Sequence, residues 1–91
     1  MKTPHNRIGG MAWFEFIWLE GDEGNIEHIV EHGISMDDFE HVFDNYSNED
    51  VSRSSGRPMR FRYTEDGRYI AVVFEWIVDD IEVLPVTAYE V

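Results

Sequence analysis

The chain has 91 residues, 43 % of them hydrophobic and 14 % aromatic, enough for one compact domain with a single core and too few for two. Nineteen acidic residues against seven basic ones give a net charge of −12, which excludes strong non-specific binding to DNA or RNA through phosphates and suits a basic protein partner. With no cysteine there is no disulfide framework or thiolate chemistry, and no stretch has the ~20 apolar residues that span a bilayer, so a cytoplasmic protein without membrane association is expected.

Residues 1–10 are polar, contain Pro4 and two glycines, and show no periodicity, which predicts a flexible tail ahead of a single domain over 11–91. Met11 to Leu19 is the longest apolar run, but Glu15 interrupts it and it lacks a basic lead and a cleavage site, so it is not a signal peptide. Its aromatic density from Ala12 predicts a strand, broken by the stretch Gly21 to Gly24. Ile26, Ile29 and Val30 then follow helical spacing, with Asn25 or Asp22 as N-cap and Gly33 placed to end the helix. Ser35 with Asp38 three residues on resembles a capping box, and Met36, Phe39, Val42 and Phe43 form the apolar stripe of a second helix.

The polar region Ser47 to Gly56 reads as a loop with a short strand near Asp50 to Arg53. Pro58 to Thr64 alternates, Glu65-Asp66-Gly67 makes a hairpin turn, and Tyr69 to Val78 is a strand. A tight Asp79-Asp80 turn leads to a last strand from Ile81 to about Tyr89. The predicted fold is α+β: a two-helix hairpin on one face of a mostly antiparallel sheet of three to five strands, in the order β-α-α-β-β-β.

Five of the seven basic residues fall between Arg53 and Arg68, a segment of local charge +3. Arginine forks match phosphate and carboxylate oxygens, which makes this cluster the first candidate site, although arginines on an exposed strand also pair with neighbouring carboxylates for little energy. Alternation predicts Ile70, Val72, Phe74 and Trp76, with Leu84, Val86 and Ala88, facing the helices. Arg60, Arg62, Glu75 and Tyr89 are then expected together on the opposite, open face. Arg53 and Arg57 flank Ser54-Ser55-Gly56, which has the composition of an anion-cradling loop and equally of an ordinary turn.

The order Phe16-Ile17-Trp18, Asn25 through His32-Gly33-Ile34-Ser35, and Val42-Phe43-Asp44 resembles the BrnT-like toxins of bacterial type II toxin–antitoxin pairs. So does the later run of an arginine-bearing strand, a glycine turn, Ile70-Ala71-Val72-Val73-Phe74 and Thr87-Ala88-Tyr89; the likeness covers residues 16–89. It implies a RelE-like fold, an RNA substrate cleaved without metal or other cofactor so that translation stops, and an antitoxin protein as partner. The chain departs from the family pattern at three places: Leu19 stands for an acidic residue, Glu31 for a lysine, and Thr87-Ala88-Tyr89 for a Ser-Ala-Arg strand.

Such a ribonuclease needs a base for the 2′-hydroxyl, an acid for the leaving oxygen, and cations for the phosphate. Arg57, Arg60 and Arg62 are candidates to hold phosphate with Arg53 beside them, Glu75 or His32 to act as base, and Tyr89 to donate a proton or stack on a base. The competing reading is a non-catalytic binding module that keeps the fold and engages an acidic or carboxylate-bearing partner through the arginine-bearing face. Association with a second copy of the chain is open on either reading.

His28 to His32 fits the H-x-x-E-H zinc spacing, but a histidine ahead of Gly33 also suits a helix C-terminus, and no metal site is assigned. Trp13, Trp18 and Trp76 are expected in the core rather than on a base-stacking platform.

Overall fold

The computed structural model describes residues 2–9 and 12–91, with side chains from Phe14 onward. Its elements are β1 (Lys2–Gly9), β2 (Ala12–Leu19), α1 (Asn25–Glu31), α2 (Met36–Asp44), β3 (Asn48–Val51), β4 (Pro58–Tyr63), β5 (Tyr69–Val78) and β6 (Glu82–Glu90). The α+β class and the helical hairpin are as expected from periodicity. The sheet has six strands in the order β1-β2-β6-β5-β4-β3, not three to five. Lys2–Gly9, read from the sequence as part of a tail, pairs antiparallel with β2, while Met11 lies outside the described residues. Among the described residues only the β2–β6 pairing is parallel. Among the described residues no helix is long and apolar enough to cross a membrane.

Both helices cover one sheet face. Phe16 and Trp18 of β2, Ile29 and Ile34, Phe39, Val42 and Phe43 of α2, and Ile70, Val72 and Phe74 of β5 form one buried cluster with Val83 and Ala88 of β6. Each valine, isoleucine and phenylalanine among them contributes on the order of 1.5–3 kcal/mol when removed from water. Phe43 is the hub, meeting Phe14, Phe16, Phe74 and Trp76 at centroid distances of 4.8–5.7 Å in edge-on geometry. Glu40 is fully buried under α2, where the Trp18 indole Nε1 donates to its Oε2 at 3.0 Å. Trp18 is thus core, as expected, and Trp76 packs against it; the Trp13 side chain lies outside the described residues.

The cap of α1 differs from both candidates. Gly24 is the N-cap, without a side-chain bond. A Cβ there would sit 2.2 Å from the Leu19 carbonyl oxygen, so the turn requires glycine. Asn25, one residue inside the helix, turns its amide into the sheet: its Oδ1 accepts from Leu19 N at 2.7 Å, and its Nδ2 donates to Ile17 O at 2.9 Å and Pro85 O at 2.8 Å. The parallel pairing of β2 with β6 is recorded only at Glu15↔Glu82 and Phe16↔Val83. Asn25 bridges the two strands where that ladder ends. Gly33 does end α1, at φ +77°, and the Ser35–Asp38 capping box is present, with bonds of 3.0 and 3.2 Å.

Arg68 fastens the helical hairpin to the β4–β5 turn. Its guanidinium donates to Gly33 O (2.8 Å), to Asp38 Oδ2 (3.2 Å) and to Asp66 Oδ2 (2.8 Å). The hydrogen bond from the Thr64 hydroxyl is the main cause holding the Asp66 carboxyl below its ordinary value of 3.8; partial burial opposes it, and the hydrogen bond and charge of Arg68 add to it.

Two outcomes follow for stability. Asn25→Ala strands the carbonyls of Ile17 and Pro85 and the amide of Leu19, and should cost about 2–4 kcal/mol in urea unfolding. The exposed Asn48→Ala should cost about 0.5 kcal/mol or less. A lowered native pKa means that Asp66 stabilises the fold above its ordinary value and loses that contribution as pH falls through the native one. The stability gap between wild type and Asp66→Asn should therefore be constant near neutrality and shrink below pH 3.8, a trend that unfolding midpoints at several pH values will show.

Candidate functional site

The register of β4 on β5 decides where the arginines go. Arg60 pairs with Val72 and Arg62 with Ile70, both helix-covered residues, so these two arginines share the helix-facing side. Alternation within β4 holds, but its faces are reversed from the expectation: Met59, Phe61 and Tyr63 point to the open side. There Met59, Ala71 and Val73 form a second small cluster, with Phe61 and Val86 packed against it. The physical reason is the end of α2. Its last carbonyls need donors, and a helix C-terminus favours cations.

Arg62 Nη1 donates to Asn45 O at 2.7 Å, and Arg60 Nη1 donates to Phe43 O at 3.1 Å. Arg60 also pairs with Glu49 at 3.3 Å and lies over the rings of Phe43 (4.3 Å) and Tyr46 (4.2 Å). Its side chain is only 12 % exposed.

The last strand is shifted as well. A β-bulge separates Val73↔Thr87 from Phe74↔Pro85, leaving Val86 as the extra residue. Val83 and Ala88 are therefore the β6 residues of the main core, and Leu84 and Val86 are not, contrary to the row expected from strict alternation. Tyr89 pairs with Ala71 on the open face, and Glu75 pairs with Leu84. Glu75 lies four steps along β5 from Ala71, roughly 13 Å, so Tyr89 and Glu75 share a face without meeting.

Arg57 and Glu75 do meet. The guanidinium Nε donates to Glu75 Oε1 at 2.6 Å, with both side chains 39 % exposed. Arg53 is exposed in the loop between β3 and β4. That loop closes on itself: Ser52 N bonds Arg57 O, Gly56 N bonds Ser52 O, and Arg57 N bonds Ser55 Oγ, so these amides are committed within the turn rather than aimed at an anion. His32 is the C-cap residue of α1, its ring edge-on to His28 at 5.4 Å. Among the described residues, no three His, Asp or Glu side chains gather as metal ligands.

Of the seven sequence candidates, the structure thus joins Arg57 with Glu75, leaves Tyr89 further along the same face, and carries Arg60 and Arg62 to the other side. What sequence reasoning missed is a groove of about 670 Å3 between the start of α1 and β6. Leu19, Leu84, Pro85 and Val86 line it, with Asp22, Glu23, Glu31 and Glu75 as its carboxylates and His28 and Arg57 beside them. No local signal in the sequence marks it, because its lining comes from β2, α1, β5, β6 and the loops before α1 and β4.

Along the open face from this groove runs an aromatic stripe. Tyr69 stacks with Phe61 at 5.9 Å and lies 4.7 Å from Tyr63, and its hydroxyl accepts from Asn48 Nδ2 at 2.9 Å. Tyr63 is 63 % exposed and Tyr89 37 %. Compared with known proteins, the chain matches no family model, no curated protein and no solved structure.

Proposed function

We propose that this protein is a divergent, non-catalytic BrnT-like chain, with a RelE-like arrangement, whose open sheet face binds a basic protein. The order of elements supports the fold reading: a core strand, a helical hairpin, then a meander whose last strand returns beside the first. One observation carries the functional choice. Arg60 and Arg62, the cations expected to hold a phosphate, are engaged with the C-terminal carbonyls and rings of α2, and Arg57 is paired with Glu75. Among the described side chains no cluster of cations stands on the open face, so a phosphate gaining charge there meets little compensation from them.

The face offers instead an apolar floor and exposed tyrosines, the composition favoured in protein interfaces. A net charge of −12 steers a basic partner toward it and repels a polyanion. In the family resembled, the partner is an antitoxin, which makes the product of the neighbouring reading frame the first binding candidate.

Purified protein should leave mixed RNA intact, and its expression should leave growth unimpaired. RNA cleavage abolished by Glu75→Gln would overturn the reading in favour of the ribonuclease. Binding to the neighbouring product, measured by calorimetry, should weaken about ten-fold in Tyr63→Ala, on the open face. It should be unchanged in Val30→Ala, an exposed position on α1.

A further inference from the structure

We propose that the groove between α1 and β6 is a subsite for an arginine side chain of the protein partner. The inference rests on the protein-binding reading above and specifies what enters the face at this end. An arginine is an apolar stem with a planar cationic head, and it binds best where both parts are matched. Leu19, Leu84 and Val86 supply the apolar surface, and Asp22, Glu23, Glu31 and Glu75 supply acceptors around it. A space of about 670 Å3 accommodates such a side chain with its neighbours.

The second observation is the chain's own. A guanidinium already sits in this groove, because Arg57 Nε donates to Glu75 Oε1 at 2.6 Å. The contact shows that the rim accepts this chemical group in good geometry. Four carboxylates against one guanidinium leave the groove with an excess of acceptors, so a second guanidinium is attracted rather than repelled. Arg57 is then an internal competitor, and its removal should improve binding.

The test is a titration of the full 15N-labelled chain with acetylated, amidated leucyl-arginyl-leucine, beside the same peptide carrying uncharged citrulline. Amide signals of Leu19, Glu31 and Leu84 should shift with the arginine peptide, and affinity for the citrulline peptide should be about ten-fold lower or worse. Glu31→Gln should weaken arginine binding several-fold, whereas Arg57→Ala should strengthen it about three-fold or more by freeing Glu75.

Equal affinity for the two peptides, shifts confined to residues outside the groove, or weaker binding in Arg57→Ala would each overturn the subsite. The failures are separable. RNA cleavage by the intact chain would defeat the binding-module reading itself, while equal peptide affinities with RNA left intact would remove only the arginine subsite.

Discussion

The side-chain amide of Asn25 is the constraint from which the grooved end of the molecule follows. Where the short parallel ladder between β2 and β6 ends, their backbone groups still lie in a buried gap and need partners. A carboxamide both donates and accepts, so one Asn serves the carbonyls of Ile17 and Pro85 and the amide of Leu19 together. An aspartate lacks the donors. Because the first residue of α1 is pinned in this gap, its N-cap is forced against the Leu19 carbonyl and must be glycine. The same wedge holds the start of α1 beside β6 and thereby opens the groove.

The arginines divide by what they are bonded to, and the magnitudes differ. Arg60 is nearly covered, lies over two aromatic rings and caps a helix end, so displacing it would expose carbonyls and rings together. The Arg57–Glu75 pair is more than a third exposed on both sides, and such surface pairs contribute roughly 0.2–1 kcal/mol. The second pair therefore opens at small cost, and the first contact set does not. The arginine-rich segment thus divides its work within the fold: Arg60 and Arg62 hold the end of α2, Arg68 ties the helical hairpin to the β4–β5 turn, and Arg57 makes a weak surface pair on the open face.

Features governed by neighbouring residues were legible in the sequence. Helical spacing located both helices, Ser35 and Asp38 announced their capping box, and Gly33 and Gly67 took the positive φ their turns require. Alternation assigned the β5 rows correctly. The rest depends on partners distant along the chain. Nothing local in β4 reveals that α2 ends over Arg60 and Arg62, which is why alternation alone sends these two arginines to the open face. Lys2–Gly9 shows no hydrophobic alternation, and its strand exists through pairing with β2. Asn25 reads as a cap because caps are the common use of asparagine near a helix start, whereas its amide completes a sheet.

The bulge at Val86 is where these long-range demands converge. Val83 and Ala88 are five positions apart, an odd separation, so regular alternation would place one of them outside the core. Burying each contributes apolar transfer energy, about 1.5–3 kcal/mol for a valine and less for an alanine, while disturbing one ladder rung costs about 0.5–1.5 kcal/mol net. Burial wins, and the strand accepts one extra residue. The same step fixes the outer face: Leu84 before the bulge and Tyr89 after it, also five positions apart, come to the same side. Val86, the extra residue, both lines the groove and packs with Phe61 against Met59, Ala71 and Val73, so the shift that the core demands also links the groove to the open face.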